Sequence, residues 1–290
     1  MEENAKETAP PSSVDRKRKK KWLTTMVVVL LVGGAYWHAS RHVPTGPARG
    51  DRIEGRITRT PTAGRTIRIA TFNIHSCKGR DGRRDLDRVA DCLKGFDFVA
   101  LNEARGPRIL QPEGQASRLG EKLGMAWLFA PGGRTWYYRL SGNAMLTVLP
   151  VRFWQRIPLP QVRDYSYRNV VLAALEHEGR TIHVLITHLV QRYQEDREEQ
   201  LRAVIELFLA LAEPAILMGD LNDGHTNPQI EHLLSMPGVK DPLEETLGPD
   251  PPWKIDWIIT RGFRAVDAGM VDEGASDHPM VWAELELLPE

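Results

Sequence analysis

Cysteine is nearly absent, with only Cys77 and Cys92 in 290 residues. That excludes a fold held by a disulfide framework, and neither thiol has the spacing of a zinc ligand. The two lie fifteen residues apart, so they form one bridge in an oxidising compartment or stand as small unpaired hydrophobes. Net charge is absent too, since 38 Lys and Arg face 38 Asp and Glu. The balance hides an asymmetry: residues 1–40 carry seven basic against four acidic side chains, and residues 66–290 carry 25 against 32. An acidic body argues against a protein that clings to nucleic acid by bulk charge alone, although a bound cation reverses such a field locally. There is no short-period repeat, and no low-complexity segment beyond the first residues. With 42% hydrophobic and 26% charged residues, the chain has the composition and length for a full globular core.

Residues 1–65 are different. Residues 1–21 read as a polar, disordered tail that turns basic, ending in six consecutive cations from Arg16 to Lys21. The uncharged run from Trp22 to Trp37 follows, closed by aromatics, and residues 22–39 are expected to form a transmembrane or signal-anchor helix. The run is short against the roughly 17–25 residues of a comfortable span, so flanking side chains would snorkel or the bilayer would thin. A secretory signal peptide cleaved near Gly33-Gly34-Ala35 is the alternative, and a buried soluble helix is a third reading. The cations before the run keep the tail in the cytoplasm and put the body outside, in a periplasmic or extracellular space. Residues 40–65, rich in Pro, Gly, Thr and Arg, read as a linker.

From Thr66 the pattern changes. TIRIATFN and DFVALNE read as strands around a helix in RRDLDRVADCLKG, where Leu86, Val89, Ala90 and Leu93 share a face. Further strands are expected near 126–130, 144–149, 170–175, 181–187, 215–218, 255–259 and 280–287. A long helix precedes the strand at 215, with Leu201, Val204, Ile205, Phe208 and Leu211 at helical spacing and acids from Glu195 to Glu199 at its start. In the last strand Val281, Ala283, Leu285 and Leu287 alternate with Trp282, Glu284 and Glu286, giving one dry face.

Polar groups recur at strand ends: Asn73, Glu103, His188, Asp220, Asn222, Asp256 and the pair Asp277-His278. Singly each reads as a cap or a satisfied core residue. Together, on the loops of a sheet protein, they read as a site. ATFNIH, ALNEA, SGNAML, THL, MGDLND, IDWII and SDHPMV, in this order over residues 66–290, resemble the endonuclease/exonuclease/phosphatase superfamily. The resemblance implies an α/β, four-layer sandwich of two packed mixed, mostly antiparallel β-sheets flanked by helices. It also implies a metal-dependent phosphoester hydrolase, acting by in-line attack of an activated water on phosphorus.

Carried over residue by residue, the resemblance makes Glu103 the main metal ligand, with Asn73 and Asp277 beside it. This oxygen-rich set suits Mg²⁺, with Mn²⁺ as a substitute. Asp220 is similar to the residue that orients or deprotonates the water, and Asn222 to a donor toward the phosphate. Asp256 would hold His278 as an oriented cation, and His188 would be a second imidazole on the leaving group. Arg168 is similar to an arginine on the phosphate, or is an ordinary strand residue; Asn143 is a further phosphate contact. Two departures stand out. Asn102 replaces the usual glutamine before Glu103, and no acid lies near Gly142-Asn143 to support His188. The substrate is expected to be a phosphoester, whether nucleic acid, phospholipid headgroup or small molecule, and the chain a monomer. The loop GGRTWYYRLSG offers Arg134, Trp136, Tyr137, Tyr138 and Arg139 for stacking on such a substrate, or is a partly buried aromatic turn. A catalytically inactive binding module on the same fold is the reading of another class.

Overall fold

In the computed structural model, residues 13–40, 48–107, 113–132, 141–160, 167–249 and 251–289 are described. The chain divides into an N-terminal unit ending at His42 and a body from Val43 onward. The first contains helix α1, Ser13–Ser40, whose side chains from Arg18 to Tyr36 are exposed all round. Among the described residues no helix is long and apolar enough to cross a membrane.

The body contains two six-stranded sheets. In one, the order runs β1 (Ala48–Gly50), β6 (Val151–Pro158), β7 (Asn169–His177), β8 (Arg180–His188), β9 (Ala215–Asp220), β10 (Asp256–Arg261). In the other it runs β11 (Phe263–Val271), β12 (Met280–Leu287), β2 (Thr66–Asn73), β3 (Phe98–Arg105), β5 (Ser141–Thr147), β4 (Ala126–Gly132). Pairing is antiparallel except for β2 with β3 and β8 with β9. Each of those parallel steps needs a crossover, and helices α2 (Leu86–Cys92) and α4 (Gln194–Ala210) lie in them.

The central strands are apolar on both faces because both faces are covered. Ile67, Ile69, Phe98, Met145, Val184, Ile186, Ile216 and Ile258 meet between the sheets. Outside one sheet, Val89, Ala90 and Leu93 pack with Leu119 of α3 (Gln115–Leu123). Outside the other, Leu201, Val204 and Phe208 of α4 pack with Ile230 and Leu233 of α5 (Pro228–Ser235). The layering is therefore helix, sheet, sheet, helix, as the resemblance implied.

All nine expected strands are present. Three more, β1, β6 and β11, lie at or next to a sheet edge, where the apolar signal fades. Arg152 and Arg156 interrupt β6, and β11 carries Arg264 and Asp267 with a bulge between Ala265 and Asp267. The segment expected as a linker differs in its described part. Residues 48–50 pair with β6, Glu54 bridges Trp127, and the Trp154 indole donates to the Arg52 carbonyl. Proline and glycine there shape a strap along the body.

Candidate active site

Register sets the first row of the site. His188 is opposite Asp220 in the parallel pair β8–β9, and Asp220 is opposite Asp256 in the antiparallel pair β9–β10. Three adjacent strands thus end in an imidazole and two carboxylates. The facing sheet contributes Asn73, paired with Asn102 at the ends of β2 and β3. Gly219 makes the approach possible: its φ is +136°, and a Cβ there would lie 1.9 Å from the Thr187 carbonyl oxygen.

Asp220 is the hub, with 1% exposure. Its Oδ2 accepts from Asn73 Nδ2 at 2.9 Å, and its Oδ1 from the Asn222 backbone N–H at 2.9 Å. The two imidazoles flank that same Oδ2, His188 Nε2 at 3.4 Å and His278 Nε2 at 3.9 Å. Behind His278, its Nδ1 lies 2.7 Å from Asp256 Oδ2, while Asp256 Oδ1 is buried without a hydrogen bond. The acid nearest His188 in the described residues is thus Asp220, on the adjacent strand.

Burial and like charge separate the protonation states of these groups. Burial, then the charge of Asp256, pushes the Asp220 carboxyl up to about 7, against the pull of His278. Burial also raises Asp256, opposed by the His278 hydrogen bond. Burial alone would lower His278, but the hydrogen bond and charge of Asp256, with Asp220 and Asp277, outweigh it and hold the imidazole at about 9. His188 goes the other way: burial, then the cations Arg168 and His278, lower it well below its ordinary range. The site therefore holds one cationic and one neutral imidazole near pH 7.

Glu103 stands on a bulge of β3 with φ 55°, a left-handed conformation that costs about 1–3 kcal/mol in a residue with a side chain. Among the described residues its carboxylate has no hydrogen bond or ion pair, and it lines a cavity of about 200 Å³ with Asn143, Arg168 and His188. A partly buried carboxylate without a partner fits a hard divalent cation. Asp277, expected beside Glu103, lines a different cavity. That side chain is 53% exposed, meets the Ser276 hydroxyl and the His75 ring, and lines a second cavity. The acids and imidazole close enough to share one ion among themselves are instead Asp220, Asp256 and His278, within 4.8 Å of one another. Within that set Asp256 and His278 already satisfy each other.

Two expected phosphate contacts differ in kind. Both line the Glu103 cavity, but Asn143 is 3% exposed and uses both ends of its amide internally. Its Oδ1 accepts from Asn102 and its Nδ2 donates to the Asn169 carbonyl. Asn222 donates one N–H to the Leu189 carbonyl. Arg134, Trp136, Tyr137, Tyr138 and Arg139 lie outside the described residues. Asn102 was not singled out from the sequence as a site residue, yet its Oδ1 accepts the Asp220 backbone N–H at 3.0 Å and its Nδ2 also donates to the Thr187 carbonyl. The only signal for it was an amide beside Glu103 in ALNEA. Both thiols are free, and burial pushes Cys77 up to about 12 and Cys92 to about 11, which disfavours the thiolate.

Comparison with known proteins agrees with this architecture. The endonuclease/exonuclease/phosphatase from Beutenbergia cavernae is 24% identical, with a TM-score of 0.66 over 78% of this chain and 72% of that one. A family protein from Leptotrichia buccalis is 19% identical, with a TM-score of 0.64 over 76% of this chain and all of that one. Sphingomyelinase C from Streptomyces griseocarneus is 15% identical, with a TM-score of 0.53 over 76% and 99%. No curated protein matches the sequence. The model of the Endonuclease/Exonuclease/phosphatase family matches residues 70–278, from within β2 to His278 itself, and the chain belongs to that family.

Proposed function

We propose that this protein hydrolyses phosphoesters with the help of a divalent cation, Mg²⁺ or Mn²⁺. The observation that carries the reading is one buried carboxylate, Asp220, set between a cationic and a neutral imidazole with a second carboxylate behind the cation. Asp220 takes a proton from water as the water oxygen bonds to phosphorus. His278, charged and oriented by Asp256, faces the phosphate oxygens and is the proton source for the leaving oxygen. His188, neutral and buried, contributes an N–H or a lone pair toward the leaving group. Arg168 and the free N–H of Asn222 meet the phosphate charge. Glu103 and Asn73 would hold the cation, which polarises a phosphoryl oxygen when bound. Asp277 is left to tune His278.

The test is release of nitrophenolate from bis-nitrophenyl phosphate with Mg²⁺. Asp220→Ala and His278→Ala are each expected to lower kcat about 10²–10⁴-fold. Unchanged activity in both variants would count against the mechanism. An inactive wild type that still binds phosphate would favour the binding-module reading.

We further propose that α1 fastens the chain to the cytoplasmic membrane with the body outside. The support is an exposed helix, apolar on every side between Trp22 and Tyr36 and preceded by cations, with no stripe to bury against a core. The uncharged run within α1, Trp22 to Trp37, is short, so crossing requires snorkelling or local thinning. Release of the full chain by alkaline carbonate would contradict anchoring, and a body found free in the medium would favour cleavage.

A further inference from the structure

A regular strand would point Glu103 the wrong way. In β3, Phe98 and Ala100 face the space between the sheets, and Val99 and Leu101 face the helices. Alternation returns Asn102 to the inner side, where its amide meets Asp220 and Thr187 of the facing sheet, and would send Glu103 back toward the helices. The bulge between Leu101 and Ala104 prevents this. It inserts one residue against β5, so that Ala104 takes the helix-side place and Glu103 lines a cavity with His188 of the other sheet. The left-handed backbone at Glu103 is part of that bulge.

Such a conformation persists only where its surroundings hold it. The hold comes from the turn after β2, which is itself left-handed at three consecutive residues, His75, Ser76 and Cys77, with φ of 43°, 58° and 57°. Ser76 Oγ donates to the Glu103 carbonyl at 3.3 Å. Gln115, the first residue of α3, then ties the turn to the strand. Its Nε2 donates to the Ser76 carbonyl at 2.8 Å, and its Oε1 accepts the Arg105 N–H at 2.8 Å. Arg105 is two residues past Glu103, so one amide and one hydroxyl grip the bulge from both sides. The same turn reaches Asn73, whose Oδ1 accepts the His75 N–H at 3.1 Å. Gln115 and Ser76 line neither the Glu103 cavity nor the one beside His278, so any effect they have on chemistry passes through Glu103.

We propose that Gln115 and Ser76 are positioning residues that hold Glu103 in its left-handed turn, present its carboxylate to the site and so set the affinity for a divalent cation. This rests on the reading of Glu103 as a cation ligand and extends it to two residues that touch neither ion nor substrate. Without their hydrogen bonds β3 is free to relax toward regular alternation, which carries the carboxylate away from His188. Groups that orient a ligand from behind are typically worth about 10–100-fold in metal affinity.

The full-length protein in detergent, without substrate, is titrated with Mn²⁺, and free ion is read by electron paramagnetic resonance. Gln115→Leu keeps the bulk and removes both amide bonds, and should raise the Kd for Mn²⁺ about tenfold or more. Ser76→Ala removes one bond, should raise it several-fold, and carries the test if Gln115→Leu does not fold. Gln229→Leu is the control, since that glutamine donates to the Glu198 carbonyl in the opposite helical layer, and it should leave Kd unchanged. Glu103→Gln should abolish the tight binding. Wild-type Kd in folded Gln115→Leu and Ser76→Ala, with binding lost in Glu103→Gln, would overturn the inference and leave Glu103 as the ligand. A Gln229→Leu variant weakened as much as Gln115→Leu would overturn it as well, because the effect would then be general loosening. Undiminished binding in Glu103→Gln would bring down the ligand reading and this inference together.

Discussion

At the scale of single residues, two protonation states have to coexist. Asp220 must be ionised to accept a proton, and it is held up at about 7; His278 must be protonated, and it is held at about 9. Activity is therefore expected to rise through about pH 7 and fall through about pH 9, limbs that belong to the coupled cluster. Divalent cation should move the acid limb down, because positive charge nearby favours the carboxylate. His278→Gln should remove the alkaline limb, and a pH–rate profile with that limb intact would reassign it. The same shifts have a stability sign. A raised His278 contributes fully below its ordinary 6.5 and loses that contribution as pH rises through about 9.

Asn102 gives the second residue-scale expectation. Its amide receives the Asp220 N–H and supplies Asn143 and Thr187, so Asn102→Ala strands several buried groups at about 1–3 kcal/mol each. Thermal unfolding should show a loss of that order, together with reduced kcat. The sequence made Asp220, Asp256 and His278 visible because carboxylates and imidazoles at strand ends are rare enough to notice. It could not show that Asn143 is tied to Asn102, since an amide looks the same whether it meets a phosphate or another amide.

Strand ends are the elements that matter here, and their register was readable only in part. Apolar runs marked the strands, but the opposition of His188, Asp220 and Asp256 depends on which strands become neighbours. Gly219 protects that register, and Gly219→Ala should be among the most destabilising single changes in the body, because backbone rather than a flexible tip blocks the new methyl. The start of β10 has its own anchor in the buried Lys254–Asp241 pair, two residues before Asp256. Asp241 is also the cap of α6 (Pro242–Leu247). Asp241→Ala should cost about 3–5 kcal/mol by leaving a buried ammonium unpaired, whereas Asp241→Leu with Lys254→Met should cost much less. If chemical denaturation shows the double variant no better than the single, the cap rather than the charge pair dominates. The Asp-Pro and Asn-Pro steps that start α6 and α5 were legible as helix starts in principle, yet the helices are too short for a periodic signal.

For the whole molecule, two sheets packed face to face bring carboxylates from both edges into one small volume. Glu103 from one sheet and Asp220 with Asp256 from the other concentrate negative charge, which His278 offsets at Asp220 and Asp256. Such a body should be more stable with a divalent cation than without, by RT ln(1 + [L]/Kd), about 2.7 kcal/mol at a hundredfold excess over Kd. Removal of metal by a chelator should therefore lower the unfolding temperature, and Mg²⁺ or Mn²⁺ should restore it. Glu103→Gln tests the assignment directly: the neutral amide keeps the shape but loses the charge, so the thermal response to metal should shrink sharply even where no substrate is present. If Glu103→Gln responds like the wild type while Asp256→Asn does not, the ion sits instead among Asp220, Asp256 and His278. That result would also move the alkaline limb of the activity profile, because a coordinated His278 could no longer carry its proton.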